Sequence, residues 1–140
     1  MKAIKTTPFP RLAPSVELDI WRKRSKLLKS FMKDRLVIPV SAETHIIEYS
    51  KILFISADGN YSRITLTDGS CIVCAKTLKH FEVKLLDKKF LRVHASYLVN
   101  LNHVTGLSKS DGLSIRLSNE QKIPISRTFK NQLFRNIPGA

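Results

Sequence analysis

After Arg35 the spacing of apolar residues drops from the helical 3.6 to two and stays near two for most of the remaining chain. LVIPV (36–40), THIIEY (44–49), LFISA (53–57) and SRITLT (62–67) are short and rich in β-branched and aromatic side chains, which suit a pleated, half-buried surface. Asp68-Gly69 reads as a two-residue hairpin turn into SCIVCA (70–75), and Asp111-Gly112 as a second one between VTGLSKS (104–110) and LSIRLS (113–118). FLRVH (90–94) and KIPIS (122–126) add strands, with Pro124 marking an edge or a strand end. Two helical stretches interrupt them: TLKHFEVKLL (77–86), with Leu78, Phe81, Leu85 and Leu86 on one face, and a closing amphipathic TFKNQLFRNI (128–137). SYLVN (96–100) reads as a brief helical turn. Strands joined by tight turns pair antiparallel, and without strand-helix-strand alternation there is no doubly wound sheet and no nucleotide fingerprint. The expected fold is mainly β (α+β), an antiparallel scaffold with a central and a C-terminal helix.

The first 35 residues follow different rules. MKAIKTTPFPRLAP holds three prolines and no periodicity, and so reads as an extended lead-in. Ser15 is a plausible N-cap for a helix over Val16–Asp34, with Glu17 and Asp19 in the first turn and Arg and Lys dominating from Arg22. Ile20, Leu27, Leu28 and Phe31 fall near one face. Such a helix can pack its stripe on the domain or a second subunit, bring Arg22, Lys23, Arg24 and Lys26 to phosphates, or lie on a membrane surface. The expected organisation is a basic arm at 1–35 and one domain at 36–140.

Charge then narrows the partners. Lys and Arg number 24 against 11 Asp and Glu, a net +13, which creates a field that draws polyanions. Residues 1–35 carry 10 basic and 3 acidic side chains, and residues 36–140 carry 14 and 8, so the charge is not one detachable tail. Cys71 and Cys74 are the two cysteines, too few for the framework of a secreted domain, and three positions apart on a strand they point to opposite faces. There is no window of about 18 apolar residues. A reducing, cytoplasmic compartment is expected, with no membrane partner, no metal and no cofactor.

Histidines invite an enzymatic reading. His94-Ala95-Ser96 matches an H-x-S element, but proton relay between two imidazoles needs a second one, and His45, His80 and His103 do not supply it. A nucleophile elbow, a Walker loop, H-E-x-x-H and a calcium loop are absent. No enzyme activity is expected. Three polar corners remain: Asp58-Gly59-Asn60-Tyr61 with Arg63; Arg92, His94 and Ser96; and Ser126-Arg127 with Lys130. Arg92 and His94, two apart on a strand, should share a face while Leu91 and Val93 turn to the core. Each corner also has a structural reading, as a plain turn, a half-buried histidine and a helix cap.

Taken in order, ILFISADGNYSRITLTDG, TLKHFE, FLRVHASYLVNLNHV and IPISR resemble the LytTR DNA-binding domain of bacterial transcription regulators, over about residues 36–137. The resemblance implies an elongated, mainly β fold whose loops enter successive grooves on one side of bent double-stranded DNA. It implies Asn60 in the first DNA-facing loop, His94 and Ser96 in the second, and Arg127 in the third. On chemical grounds Arg127 can fork onto guanine, Asn60 can bond base edges, and Ser96, Arg63 and Lys130 suit phosphates, while His94 can donate to phosphate or brace its loop. Tyr61, Arg92, Lys109 and Ser126 complete the candidate contacts; Asn100 and Tyr97 are expected inside. Ala95 stands where the family most often has a polar residue, so one reader is missing. The 35-residue arm is too short for a receiver domain. The expected function is a stand-alone, sequence-specific regulator, a homodimer on repeated sites; the alternative is a non-catalytic module that pairs with another regulator.

Overall fold

The computed structural model describes residues 13–110 and 112–138, which fall into two compact units that part after Asp34. The first contains helix α1 (Pro14–Met32). Ala13 is its N-cap and makes no side-chain hydrogen bond, with Pro14 in the first turn. The helix therefore starts earlier than Ser15 implied, because proline's fixed φ and missing N–H suit the first helical position. It ends at Met32 rather than Asp34. Trp21, Leu27 and Leu28 are exposed, and no residue of α1 is buried. Residues 1–12, most of the proline-rich lead-in, lie outside the described set.

The second unit opens with β1 (Arg35–Val40) and β2 (Glu43–Glu48), an antiparallel pair. Then come β3 (Ile52–Asp58), β4 (Tyr61–Leu66), β5 (Cys71–Cys74), helix α2 (Leu78–Lys84), β6 (Phe90–His94) and β7 (Tyr97–Asn100). These five strands form one sheet in the order β5-β4-β3-β7-β6. Strands β8 (Val104–Ser108), β9 (Ser114–Leu117) and β10 (Lys122–Pro124) form a second sheet, and helix α3 (Arg127–Asn136) ends the unit. Every named pairing is antiparallel, as the turn chemistry required for the strands joined by turns. β10 is an edge strand, which is where Pro124 costs no ladder bond.

Cross-strand partners share a face, so the register sorts the large sheet into two surfaces. Ile72, Ile64, Ile55, Leu98 and Arg92 form one row; Val73, Arg63, Ser56, Tyr97 and His94 form a row on the other face. The first face packs Ile55, Ile64 and Leu98 against Leu78, Phe81 and Leu85 of the α2 segment and against Leu36 and Ile38 of β1. The second face packs Phe54, Val93 and Val99 against Ile115, Leu117, Ile123 and Phe129 of the small sheet and α3.

Several expectations change. SYLVN is not a helical turn: Tyr97–Asn100 is strand β7, central and buried on both faces, which removes the period-two signature of a half-exposed strand. The helical turn falls just after it, at Leu101–His103. Leu86 is 73% exposed, because α2 ends before reaching it. The Asp68-Gly69 turn is a residue longer than expected: the Leu66 N–H bonds the Ser70 carbonyl and encloses Thr67, Asp68 and Gly69, with Gly69 at φ +89°. The Asp68 carboxylate accepts from the Ser70 hydroxyl and N–H, and these bonds hold its pKa below the ordinary value. Of the second Asp-Gly pair, Asp111 lies outside the described residues and Gly112 has φ +84°.

Candidate nucleic-acid interface

Gly59-Asn60 forms a two-residue turn. Asp58 pairs with Tyr61, so only these two residues bridge β3 and β4, and the positive φ falls on Gly59 (+62°), as at the first central position of a type II′ turn. Asn60 and Tyr61 are exposed at this tip. Arg63 lies two residues below it and donates to Asp58 at 3.3 Å. Hydrogen bonds to Asp58 and then to Cys71 raise its guanidinium above the ordinary value. Arg63 is thus a cation with a carboxylate already beside it.

The second tip joins β6 to β7. Arg92 pairs with Leu98 but His94 pairs with Tyr97, so Val93 is an extra residue, a β-bulge. The bulge overturns the expectation that Arg92 and His94 share a face. Arg92 lies on the α2 side, where its guanidinium donates to Glu82 at 3.1 Å and to the Ala95 carbonyl at 2.7 Å. His94 lies on the opposite face beside the Tyr97 ring, and its Nδ1 accepts the Ser96 N–H at 3.1 Å. Leu91, expected in the core, is 38% exposed, whereas Val93 is fully buried.

The third tip is the start of α3. The Ser126 hydroxyl caps the helix by accepting the Phe129 N–H at 3.1 Å. Arg127 and Lys130 are exposed and stand about one turn apart, and neither has an ion pair among the described residues. Lys130 lines a shallow depression with Lys109, Gly112, Leu113 and Phe134. Lys122, which sequence reasoning did not single out, donates to Ser110 at 3.1 Å beside Lys109. No periodicity or motif could have predicted that approach.

Backbone bonds tie the three tips together. Because β3 and β7 are antiparallel neighbours, the β3–β4 and β6–β7 turns lie at the same end of the sheet, and the Ala57 N–H donates to the Ser96 carbonyl at 2.9 Å. The Ser126 N–H donates to the Val93 carbonyl at 2.8 Å, so the bulge docks the start of α3. Asn60, Ser96 and Arg127 are therefore held on connected segments by hydrogen bonds that involve none of their side-chain polar atoms.

His94 and His103 are kept apart. His103 lies past the far end of β7 from His94, and its ring bridges Ser118 Oγ (3.1 Å) and the Ser50 carbonyl (2.7 Å). The carbonyl can only accept, so Nε2 donates to it, while Nδ1 bonds the Ser118 hydroxyl. Cys71 is exposed, Cys74 is buried, and both are free thiols. Among the described residues no cluster of three or more His, Cys, Asp or Glu side chains is arranged to hold a metal, and no helix is long and apolar enough to cross a membrane.

Residues 42–137 match the LytTr DNA-binding domain family. Sensory transduction protein LytT of Oceanobacillus iheyensis is 30% identical over 110 residues, covering 76% of this chain and 45% of that protein. The CO-responsive transcriptional regulator RcoM of Rhodospirillum rubrum is 35% identical over 68 residues, 49% of this chain and 28% of that one. This chain spans less than half the length of either relative. In fold it is similar to the solved LytTr DNA-binding domain of a methyl-accepting/DNA response regulator from Bacillus cereus, with a TM-score of 0.62 at 19% identity over 76% of this chain and 98% of that one. On the strength of the 42–137 match, the chain belongs to the LytTr DNA-binding domain family.

Proposed function

We propose that the chain is a sequence-specific DNA-binding regulator that works in the bacterial cytoplasm and reads double-stranded DNA with the three tied tips. Arg127 supplies a planar fork for guanine O6 and N7, and Asn60 an amide for a base edge. Tyr61, His94 and Ser96 flank the bases, while Lys109 and Lys130 meet phosphate oxygens. Arg63 is a weaker phosphate contact because Asp58 already compensates its charge. Ser126 acts through its cap, fixing the direction of Arg127. The observation that carries the reading is the pair of backbone bonds, Ala57 to Ser96 and Ser126 to Val93, which join three polar tips at one end of the β unit.

Selecting duplexes from a random pool and titrating them at several salt concentrations tests this. If about six phosphates are neutralised, log affinity falls with log salt at a slope of roughly −5. A salt-insensitive protein partner and no selected duplex would favour an interaction module instead. Lys130→Ala should weaken selected and random duplexes alike and reduce the slope by about 0.9; a loss confined to the selected duplex would assign Lys130 to base reading.

Two copies on repeated sites is the assembly we propose, with α1 contributing its exposed apolar stripe and its cations. Removing residues 1–34 should convert a two-copy complex on a double site into independent single binding, seen by sedimentation of the complex. Unchanged stoichiometry and affinity would leave α1 without a role in either.

A further inference from the structure

We propose that Arg92 is a positioning residue that fixes the second tip from behind and does not itself touch DNA. This inference rests on the DNA-binding reading above and assigns Glu82 a part in it. Arg92 sits on the α2 side of the sheet, opposite His94, and both ends of its fork are occupied. One nitrogen donates to Glu82 of α2 at 3.1 Å, and the other donates across the bulge to the Ala95 carbonyl at 2.7 Å. Arg92 and Glu82 are both only 28% exposed at their side chains, and Lys79 adds a second cation at 3.6 Å from Glu82.

The tip is thereby held on both faces. Arg92 holds the Ala95 carbonyl on one side, the His94 ring holds the Ser96 N–H on the other, and Ala57 holds the Ser96 carbonyl. With alanine at the turn's apex, the tip offers only a methyl group and the flanking His94 and Ser96. Its contribution therefore depends on where the backbone is held, and a rigid planar fork is the group that can span a helix carboxylate and a loop carbonyl at once. Lysine's ammonium has three donors on one nitrogen but no fork, so it lacks the two separate nitrogens that Arg92 uses here.

The two roles predict opposite signs for one variant. If Arg92 met phosphate, Glu82→Gln would remove a competing carboxylate and tighten binding. If Arg92 positions the tip, Glu82→Gln loosens the anchor and weakens binding even though the net charge rises by one. The full chain is titrated with a duplex selected by the wild type and with a random duplex of equal length, and each variant's unfolding midpoint is recorded. We expect Glu82→Gln, Arg92→Lys and Arg92→Ala each to lose about tenfold on the selected duplex, the scale of one charge-assisted hydrogen bond. The random duplex should hardly respond, the salt slope should stay at the wild-type value, and the Arg92→Ala/Glu82→Gln double variant should lose no more than either single one. Tighter binding by Glu82→Gln, full retention by Arg92→Lys, or a slope reduced by about 0.9 in Arg92→Ala would make Arg92 a phosphate contact and overturn the inference. Unchanged binding in all variants would overturn it as well. A wild type that selects no duplex would instead sink the DNA-binding reading, and this inference with it.

Discussion

Replacing Asn100 with alanine is expected to lower the free energy of unfolding by about 3 kcal/mol, most of it from polar groups left without their partner. Asn100 is 1% exposed at the end of β7. Its amide nitrogen donates to the Tyr49 carbonyl at 3.0 Å and to the Ile52 carbonyl at 2.9 Å, while its oxygen accepts the Asn102 N–H at 3.1 Å. One side chain therefore ties the 3₁₀ turn before β3 to the turn after β7. Two carbonyls facing the amide require the nitrogen there, so Asn100→Asp, which keeps the oxygen but turns a carboxylate on both carbonyls, should be at least as damaging near neutral pH. Urea unfolding followed by circular dichroism measures both. A change under about 1 kcal/mol in each would mean that the carbonyls find other donors.

Arg127→Ala should cost roughly 1 to 3 kcal/mol on the selected duplex and relax the preference at one base pair, while random duplexes lose little. The residue is exposed at the first turn of α3, with no ion pair among the described residues, and the Ser126 cap and the bond from Ser126 to Val93 fix its backbone. Alanine keeps that cap and the helix, so an effect on folding should be small. Competition binding across single-base variants of the selected duplex reads the outcome. Equal losses on selected and random duplexes would place Arg127 on the phosphates and leave base reading to the other tips.

Much of the fold was legible because its local rules agree. The period-two segments became strands, the TLKHFE stretch became α2 with Thr77 accepting the His80 N–H as its cap, and Pro124 fell on an edge strand. What stayed hidden depends on neighbours distant in sequence. β7 is buried on both faces and carries no alternation to detect. The bulge at Val93 is a property of pairing with β7, so reading every second residue put Arg92 and His94 on the same side when they lie on opposite ones. The Asp68-Gly69 turn is a residue longer than its local signature implies, since Ser70 draws the Asp68 carboxylate into a wider loop.

The candidate site was legible in a different sense. Gly59, with its positive φ, and Ser126, with its cap, mark their turns by chemistry that a sequence carries openly. Which cations stand apart from acids is not carried in that way. Arg63 and Arg92 read as candidate contacts alongside Arg127 and Lys130, yet Asp58 and Glu82 compensate the first two, and those partners are five and ten positions away. The meeting of Lys109 with Lys130 around one depression is likewise a product of how the small sheet docks beside α3.

The central claim is that DNA meets one end of the β unit, and backbone amide shifts of the isotope-labelled chain titrated with the selected duplex test it most directly. The account predicts that the largest changes fall on Asn60–Tyr61, His94–Ser96, Lys109 and Arg127–Lys130. Changes centred instead on the opposite end of the large sheet, at residues 67–70 and 87–89, would contradict it.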